Sequence, residues 1–329
     1  MKKNLVPIRR AGAALSVVSS QHAYFQSKEK QDAGEDTAVE RYISAAKSDA
    51  TKRAYANDVR QFIAAGGSIP CSPTVLVKYL AAAAENLSVA TLERRLAAIH
   101  QAHVEISAPS PTKNPRVKQV MSGIRRVKGS KQRRVAALVK DDLLEALAMV
   151  DKQDNLMKIF RDRALLLVGF AGAFRRSELV GIRVEHITRL SSGIEIELPR
   201  SKTDQTGESR QVHIPFASNV RRCPVHALET WLKKSEVAEG LVFRSVDRHG
   251  NVNGSLSTHA VALIVKESVE RAGGDHMAVS GHSLRAGYAS TAADTLLPHQ
   301  IMETTGHRSI TTLTKYIRPV QRRKIPSLL

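Results

Sequence analysis

The chain has 329 residues, and its 50 Lys and Arg against 31 Asp and Glu give a formal net charge of +19; the length suits about two domains. With 42% apolar and 4% aromatic residues it can build ordinary, mostly aliphatic cores, which excludes disorder throughout. Its two cysteines, Cys71 and Cys223, form no C-x-x-C pair, so a disulfide framework and a cysteine-rich zinc site are excluded and a reducing, cytoplasmic compartment is expected. A field so one-signed implies a polyanionic partner, and for a basic protein that partner is usually nucleic acid.

Residues 1–36 carry no hydrophobic period and are read as a mobile N-terminal arm; the opening MKKNLVPIRR lacks the apolar core of a secretory signal. From Thr37 the spacing turns helical: Tyr55, Val59 and Phe62, then Val75, Val77 and Leu80, then Leu92, Leu96 and Ile99. Gly66-Gly67, Pro70, Pro73 and the stretch Pro109 to Pro115 separate these segments. Residues 37–128 are thus expected to form a helical DNA-binding bundle. Thr51 and Ser88 stand where N-caps are expected, followed by Lys52 and Arg53 and by Arg94 and Arg95. Any one such cation is more often a solvated surface residue than a DNA contact.

Lys113, Arg116, Lys118, Arg125, Arg126, Lys128, Lys131, Arg133 and Arg134 follow one another with no acid between them. Such a run repels itself and favours phosphates, and its end, KGSKQRR, reads as a basic linker over residues 129–136.

The remainder, 137–329, is expected to be one mixed α/β domain. Leu143, Leu144, Leu147 and Val150 stripe one helix, and a second, from about Asn155 to Phe174, is apolar nearly all round and closed by Arg175 and Arg176. Its apolar run Ala164 to Ala173 is about half of what a bilayer requires, so no membrane partner is expected. Ile194, Ile196 and Leu198 alternate with Glu195 and Glu197, and Val212 and Ile214 with Gln211 and His213, which predicts a hairpin whose long tip carries Lys202. Helices are predicted at about 218–236, 257–272, 283–294 and 309–317. The fold class is therefore mainly α: a helical bundle followed by a mostly helical domain with a small antiparallel sheet.

No P-loop, G-x-G-x-x-G or H-E-x-x-H is present, and neither cofactor nor metal is expected. What stands out are charged residues inside apolar or tightly turned segments. Arg175 and Arg176 precede Ser177 and Glu178, and a buried arginine calls for an anion. His282 and Arg285 are i, i+3 on one predicted helix face, and His307 and Tyr316 come later. Arg175, Lys202, His282, Arg285, His307 and Tyr316 together supply cations for nonbridging oxygens, proton donors and acceptors, and a nucleophile, a set suited to a phosphodiester.

In the segments AFRRSELVGI, RSKT, GHSLRAG and GHRSITTLTKY the sequence resembles the tyrosine recombinases, the phage integrase family, across about residues 37–320. It looks most like the compact two-domain, Cre-like members, because no separate arm-binding domain is seen before residue 37. The resemblance implies that Tyr316 attacks the scissile phosphate and becomes a 3′-phosphotyrosyl intermediate. Arg175, Arg285 and His307 would hold the nonbridging oxygens, His282 would assist deprotonation of the phenol, and Lys202 would protonate the departing 5′ oxygen. Glu178 would orient Arg175. It further implies duplex DNA with paired inverted sites and a homotetramer on two synapsed sites. Arg53 and Arg94 are the candidates for base contacts, and Arg125 to Arg134 for phosphates. Two other activities remain compatible with these residues: relaxation by a type IB topoisomerase, and non-cleaving DNA binding by an accessory protein.

Overall fold

The computed structural model describes residues 41–42, 45–129, 135–198 and 210–314. They fall into two compact units, divided between Gln132 and Arg133.

In the first unit, helices α1 (Asp49–Ala64), α2 (Pro73–Ala84), α3 (Val89–Glu105) and α4 (Pro115–Lys128) pack around Phe62, Leu76, Leu80, Leu92, Ile99, Val117 and Met121. The Phe62 and Tyr79 rings meet edge to face at 4.8 Å, a geometry that adds to the area they bury. Each helix starts on a side-chain oxygen that accepts an otherwise orphaned amide: Ser48 from Thr51 N, Ser72 from Val75 N, Ser88 from Thr91 N and Asn114 from Arg116 N. Ser88 caps as expected. Thr51 does not: the cap lies three residues earlier at Ser48, whose Oγ accepts the Thr51 amide at 3.3 Å, so Thr51 sits within the first turn. Helix α4 carries the basic run as far as Lys128, and Gly129 stops it at φ 71.

The second unit opens with α5 (Lys140–Val150) and α6 (Leu156–Ala171) and continues through α7 (Arg176–Gly181) into strands β1 (Ile187–Leu190), β2 (Gly193–Leu198) and β3 (Arg210–Pro215). These three pair antiparallel in the order β1-β2-β3, with Ile196 opposite both Ile187 and Val212. Helix α8 (Pro224–Ser235), a short hairpin of β4 (Arg244–Val246) and β5 (Val252–Ser255), and helices α9 (Thr258–Arg271), α10 (Ser283–Ala292), α11 (Pro298–Thr305) and α12 (Ile310–Leu313) complete it. Residues Ala164 to Val168 of α6 are buried on every side, and Trp231 is sealed in the same core with its indole N–H donated to Val242 O at 2.8 Å. The predicted hairpin is present with β1 added to its edge. That strand and the β4-β5 pair are too short and too exposed to show a period in sequence.

The ends of the elements differ from the sequence expectation in one place that matters. Helix α6 stops at Ala171, and Gly172, Ala173 and Phe174 form a turn in which Ala173 has φ +48. Arg175 and Arg176 therefore do not close the buried helix; they begin the next one, with Arg175 as its N-cap. Holding a non-glycine residue in the left-handed region costs about 1 kcal/mol, and here it turns the Ala173 carbonyl towards Arg285. Helix α8 likewise starts at Pro224, later than expected, because Pro224 takes its first position after a 3₁₀ turn over Val220–Arg222. No helix among the described residues is long and apolar enough to cross a membrane.

Candidate active site

Four backbone elements of the second unit converge on one cluster of charge. The start of α7 supplies Arg175 and Glu178, β3 supplies Arg210, α10 supplies His282 and Arg285, and the turn after α11 supplies His307.

Glu178 is the anion of the cluster. Its side chain is only 7% exposed; it accepts the Arg175 backbone N–H on Oε2 at 2.8 Å, the Arg175 Nη1 on Oε1, and Arg210 Nη2 on Oε2 at 3.2 Å. Burial alone would raise its pKa, yet the Arg175 amide and the two guanidinium charges outweigh it and hold the carboxyl below its usual range. Glu178 thus caps α7 and clamps two arginines at once. Arg210 also donates to the Thr304 carbonyl at 2.5 Å, tying β3 to the end of α11. Its guanidinium is held below its ordinary pKa by burial, with Arg175 adding to that and Glu178 opposing it.

Arg285 is 1% exposed. Its Nη1 donates to the Ala173 carbonyl at 2.9 Å and its Nη2 lies 3.3 Å from His307 Nε2. The other ring nitrogen, Nδ1, is 2.7 Å from Thr305 Oγ1, and Thr305 in turn donates to the Ile301 carbonyl at 2.6 Å. The turn that delivers His307 depends on Gly306, which caps α11 at φ +64 and lets Arg210 pass within 3.1 Å of where a Cβ would stand. Burial, and then the charges of Arg285, Arg175 and Arg210, lower the His307 pKa to about 4. His282 is the N-cap residue of α10. Burial, then Arg176, Arg285 and Arg175, lower its pKa, against a weaker opposing pull from Glu178. Arg176 reaches it over Gly281, where a Cβ would fall 2.2 Å from Arg176 Cδ.

The structure therefore brings together Arg175, Glu178, His282, Arg285 and His307. Lys202 and Tyr316 lie outside the described residues, as do Lys131, Arg133 and Arg134. Sequence reasoning missed Arg210 and Thr305. Arg210 had a signal: it shares strand parity with Val212 and Ile214, which face the core, so a cation at that position had to meet an inward partner. Thr305 had none beyond its place two residues before His307.

The candidates for DNA contact in the first unit divide into two kinds. Lys52, Arg53 and Arg126 are exposed, and Arg125, about half exposed, lies 2.9 Å from an equally exposed Glu93. Others also hold partners within the unit, Arg94 while staying about half exposed. Arg94 forks onto the fully buried Asp58, with Nε 2.7 Å from Oδ2 and Nη2 3.0 Å from Oδ1. Arg95, with 13% of its side chain exposed, pairs with Asp58 at 3.4 Å and donates to the Tyr79 hydroxyl. Lys128 donates to the carbonyls of Ala84, Glu85 and Leu87, so it satisfies the end of α2.

The model of the phage integrase family matches residues 136–323. A Selenomonas ruminantium protein named an integrase/recombinase xerD homolog is 36% identical over 292 residues, covering 85% of this chain and 84% of its own length. The chain belongs to the phage integrase family. It is accordingly an enzyme, a tyrosine recombinase. The fold agrees: a lambda integrase bound to DNA superposes with a TM-score of 0.60 at 18% identity, covering 88% of this chain and 97% of its own. A lambda integrase tetramer bound to a Holliday junction gives 0.59 at 17%, covering 88% and 78%. For a member of this family, the cluster of Arg175, Arg210 and Arg285 around His307 has the sign that a phosphodiester requires.

Proposed function

We propose that this recombinase is site-specific and cuts and rejoins duplex DNA through a covalent phosphotyrosine. The observation that carries the proposal is the convergence of Arg175, Arg285 and His307 from three separate elements, with Glu178 fixing the first. In the proposed step the Tyr316 oxygen bonds to phosphorus while the bond from phosphorus to the 5′ oxygen breaks, leaving a 3′-phosphotyrosine. His282 takes the phenolic proton and Lys202 gives one to the departing 5′ oxygen. Arg175, Arg285 and His307 stabilise the charge that grows on the nonbridging oxygens. Attack by a different 5′ hydroxyl reverses each of these changes and releases Tyr316, so the exchange conserves the bond energy.

Arg210 extends this set as a positioning residue, since it holds the carboxylate that holds Arg175. We assign duplex contacts to Lys52, Arg53, Arg125 and Arg126. The solved recombinases on DNA, including the lambda integrase tetramer on a Holliday junction, support a DNA partner and a homotetramer for this chain, and we extend this to paired inverted sites. Action in the cytoplasm is part of the same proposal. The domain limits follow the same reading: a bundle over 37–128, a basic linker over 129–136 and a catalytic domain over 137–329.

The test is trapping on nicked suicide duplexes that carry candidate sites from the neighbouring genome. Wild type is expected to yield a covalent band on a denaturing gel, and Tyr316→Phe to bind the same DNA without one. Binding by both proteins with no covalent product at any site would replace this reading with non-cleaving DNA binding. Relaxation of a plasmid without strand exchange between sites would replace it with a topoisomerase.

A further inference from the structure

Both ring nitrogens of His307 have partners whose hydrogens are already assigned by chemistry. Arg285 Nη2, 3.3 Å from Nε2, carries only hydrogens and can only donate. At that length the contact favours a lone pair on Nε2 without enforcing it. At the other nitrogen, the Thr305 hydroxyl has one hydrogen, and that hydrogen is directed at the Ile301 carbonyl 2.6 Å away, a group that can only accept. Towards Nδ1, 2.7 Å distant, the Thr305 oxygen is left as an acceptor, so Nδ1 must carry the hydrogen. The two constraints are independent and agree on one form of the ring. Thr305 is fully buried and His307 is 8% exposed, which keeps water from scrambling the assignment.

We propose that Thr305 is a positioning residue that locks His307 as the neutral Nδ1–H tautomer, with its Nε2 lone pair turned to Arg285. The consequence rests on the recombinase reading; the tautomer itself does not. In the resting site His307 is an acceptor that orients the Arg285 guanidinium. It becomes a donor to a nonbridging oxygen only when a proton reaches Nε2. Among the described residues, the charged groups that face it are Arg175 at the start of α7, Arg210 on β3 and Arg285 on α10, all cationic. They resist that proton until an anion enters among them. Thr305 thus holds the ring so that the arriving proton lands on the nitrogen that faces the phosphate.

The experiment uses the full-length protein with ¹⁵N-labelled histidine and long-range ¹H–¹⁵N spectra at pH 7, the His307 signals being identified by their loss in His307→Gln. In wild type, Nδ1 is expected at a pyrrole-like shift and Nε2 at a pyridine-like one. Thr305→Val, which keeps the shape and removes the hydroxyl, is expected to move both nitrogens towards averaged shifts, and Thr305→Ser to restore the wild-type pattern. On suicide DNA, Thr305→Val is expected to form the covalent complex about tenfold more slowly at unchanged binding affinity, with Thr305→Ser within about threefold of wild type.

A protonated Nε2 in the wild-type ring, or an unaltered tautomer in Thr305→Val, would overturn the lock. Altered shifts with an unaltered cleavage rate would overturn the positioning role. A protein that shows the expected tautomer but never forms a covalent complex upholds the lock and instead refutes the recombinase mechanism proposed above.

Discussion

Replacing Glu178 by Gln removes a negative charge that holds Arg175 and Arg210 together. In the native site one carboxylate accepts three donors: the Arg175 amide at 2.8 Å, the Arg175 guanidinium, and Arg210 Nη2 at 3.2 Å. Glutamine keeps one acceptor oxygen and turns an NH₂ group towards a cation. Breaking a buried ion pair by removing one partner costs roughly 3–5 kcal/mol. The two arginines keep 28% and 23% of their side-chain exposure, so water relieves part of this and the expected loss is about 2–3 kcal/mol. For a unit of this size that lowers Tm by roughly 4–12 °C, read by calorimetry at pH 7. Because the Glu178 pKa is lowered from its ordinary 4.5 in the folded protein, the stabilisation is complete above pH 4.5 and disappears as the pH falls through the lowered value. The gap in Tm between wild type and Glu178→Gln should therefore close in acid. Covalent complex formation on suicide DNA should fall with it, since Arg175 loses its guide. A variant melting within about 1 °C of wild type at pH 7 would refute the clamp.

Three further outcomes are expected. Lowering the His307 pKa to about 4 from its usual 6.5 means that the unfolded chain binds the extra proton between those values, so stability falls by about 3 kcal/mol as the pH drops from 6.5 to 4; denaturant melts of His307→Gln should show a flatter decline, and equal slopes would sink the assignment. Asp58→Asn, which leaves Arg94 and Arg95 facing a neutral amide at a fully buried position, should destabilise the first unit by about 3 kcal/mol, seen as earlier proteolysis of that unit. If a monomer neutralises about 8 phosphates, log K for duplex DNA should fall with log salt at a slope of about −7, whereas a slope near zero in filter-binding or anisotropy titrations would mean that the basic surfaces do not carry the affinity.

What the sequence makes legible is governed by where a residue's partner lies. Glu178 and Arg175 are three residues apart, and His307 stands in a short motif, so local spacing and residue chemistry are enough to mark them. The apolar girdle of α6 and the alternation across β2 and β3 are also local, and these elements form at the expected residues, apart from the end of α6. Asp58 is different: its partner Arg94 lies 36 residues on, on another helix, and no spacing rule connects them. Lys128 reaches carbonyls 41 to 44 residues earlier, so in sequence it is indistinguishable from its neighbours in the basic run, while in the fold it ends a helix. The turn at Ala173 is hidden for another reason. Alanine favours helix, and its left-handed conformation is imposed by the packing around it, so the sequence extends α6 a full turn too far.

That misplaced boundary explains why the site is built as it is. Had α6 run on through Arg175, the side chain of that residue would have been fixed by helical geometry alone. Instead the break at Ala173 gives two results at once. It frees a carbonyl that accepts from Arg285, and it makes Arg175 an N-cap whose backbone and side chain both bond to Glu178. A single strained residue thus couples the placement of two guanidinium groups contributed by segments 110 residues apart in sequence. Repulsion between such like charges in a buried site opposes folding, and the acceptors supplied by Glu178, Ala173, Thr304 and His307 are what make the arrangement tenable. Groups held this rigidly need not reorganise when charge develops on a bound phosphodiester, which is the condition for electrostatic stabilisation to lower a barrier.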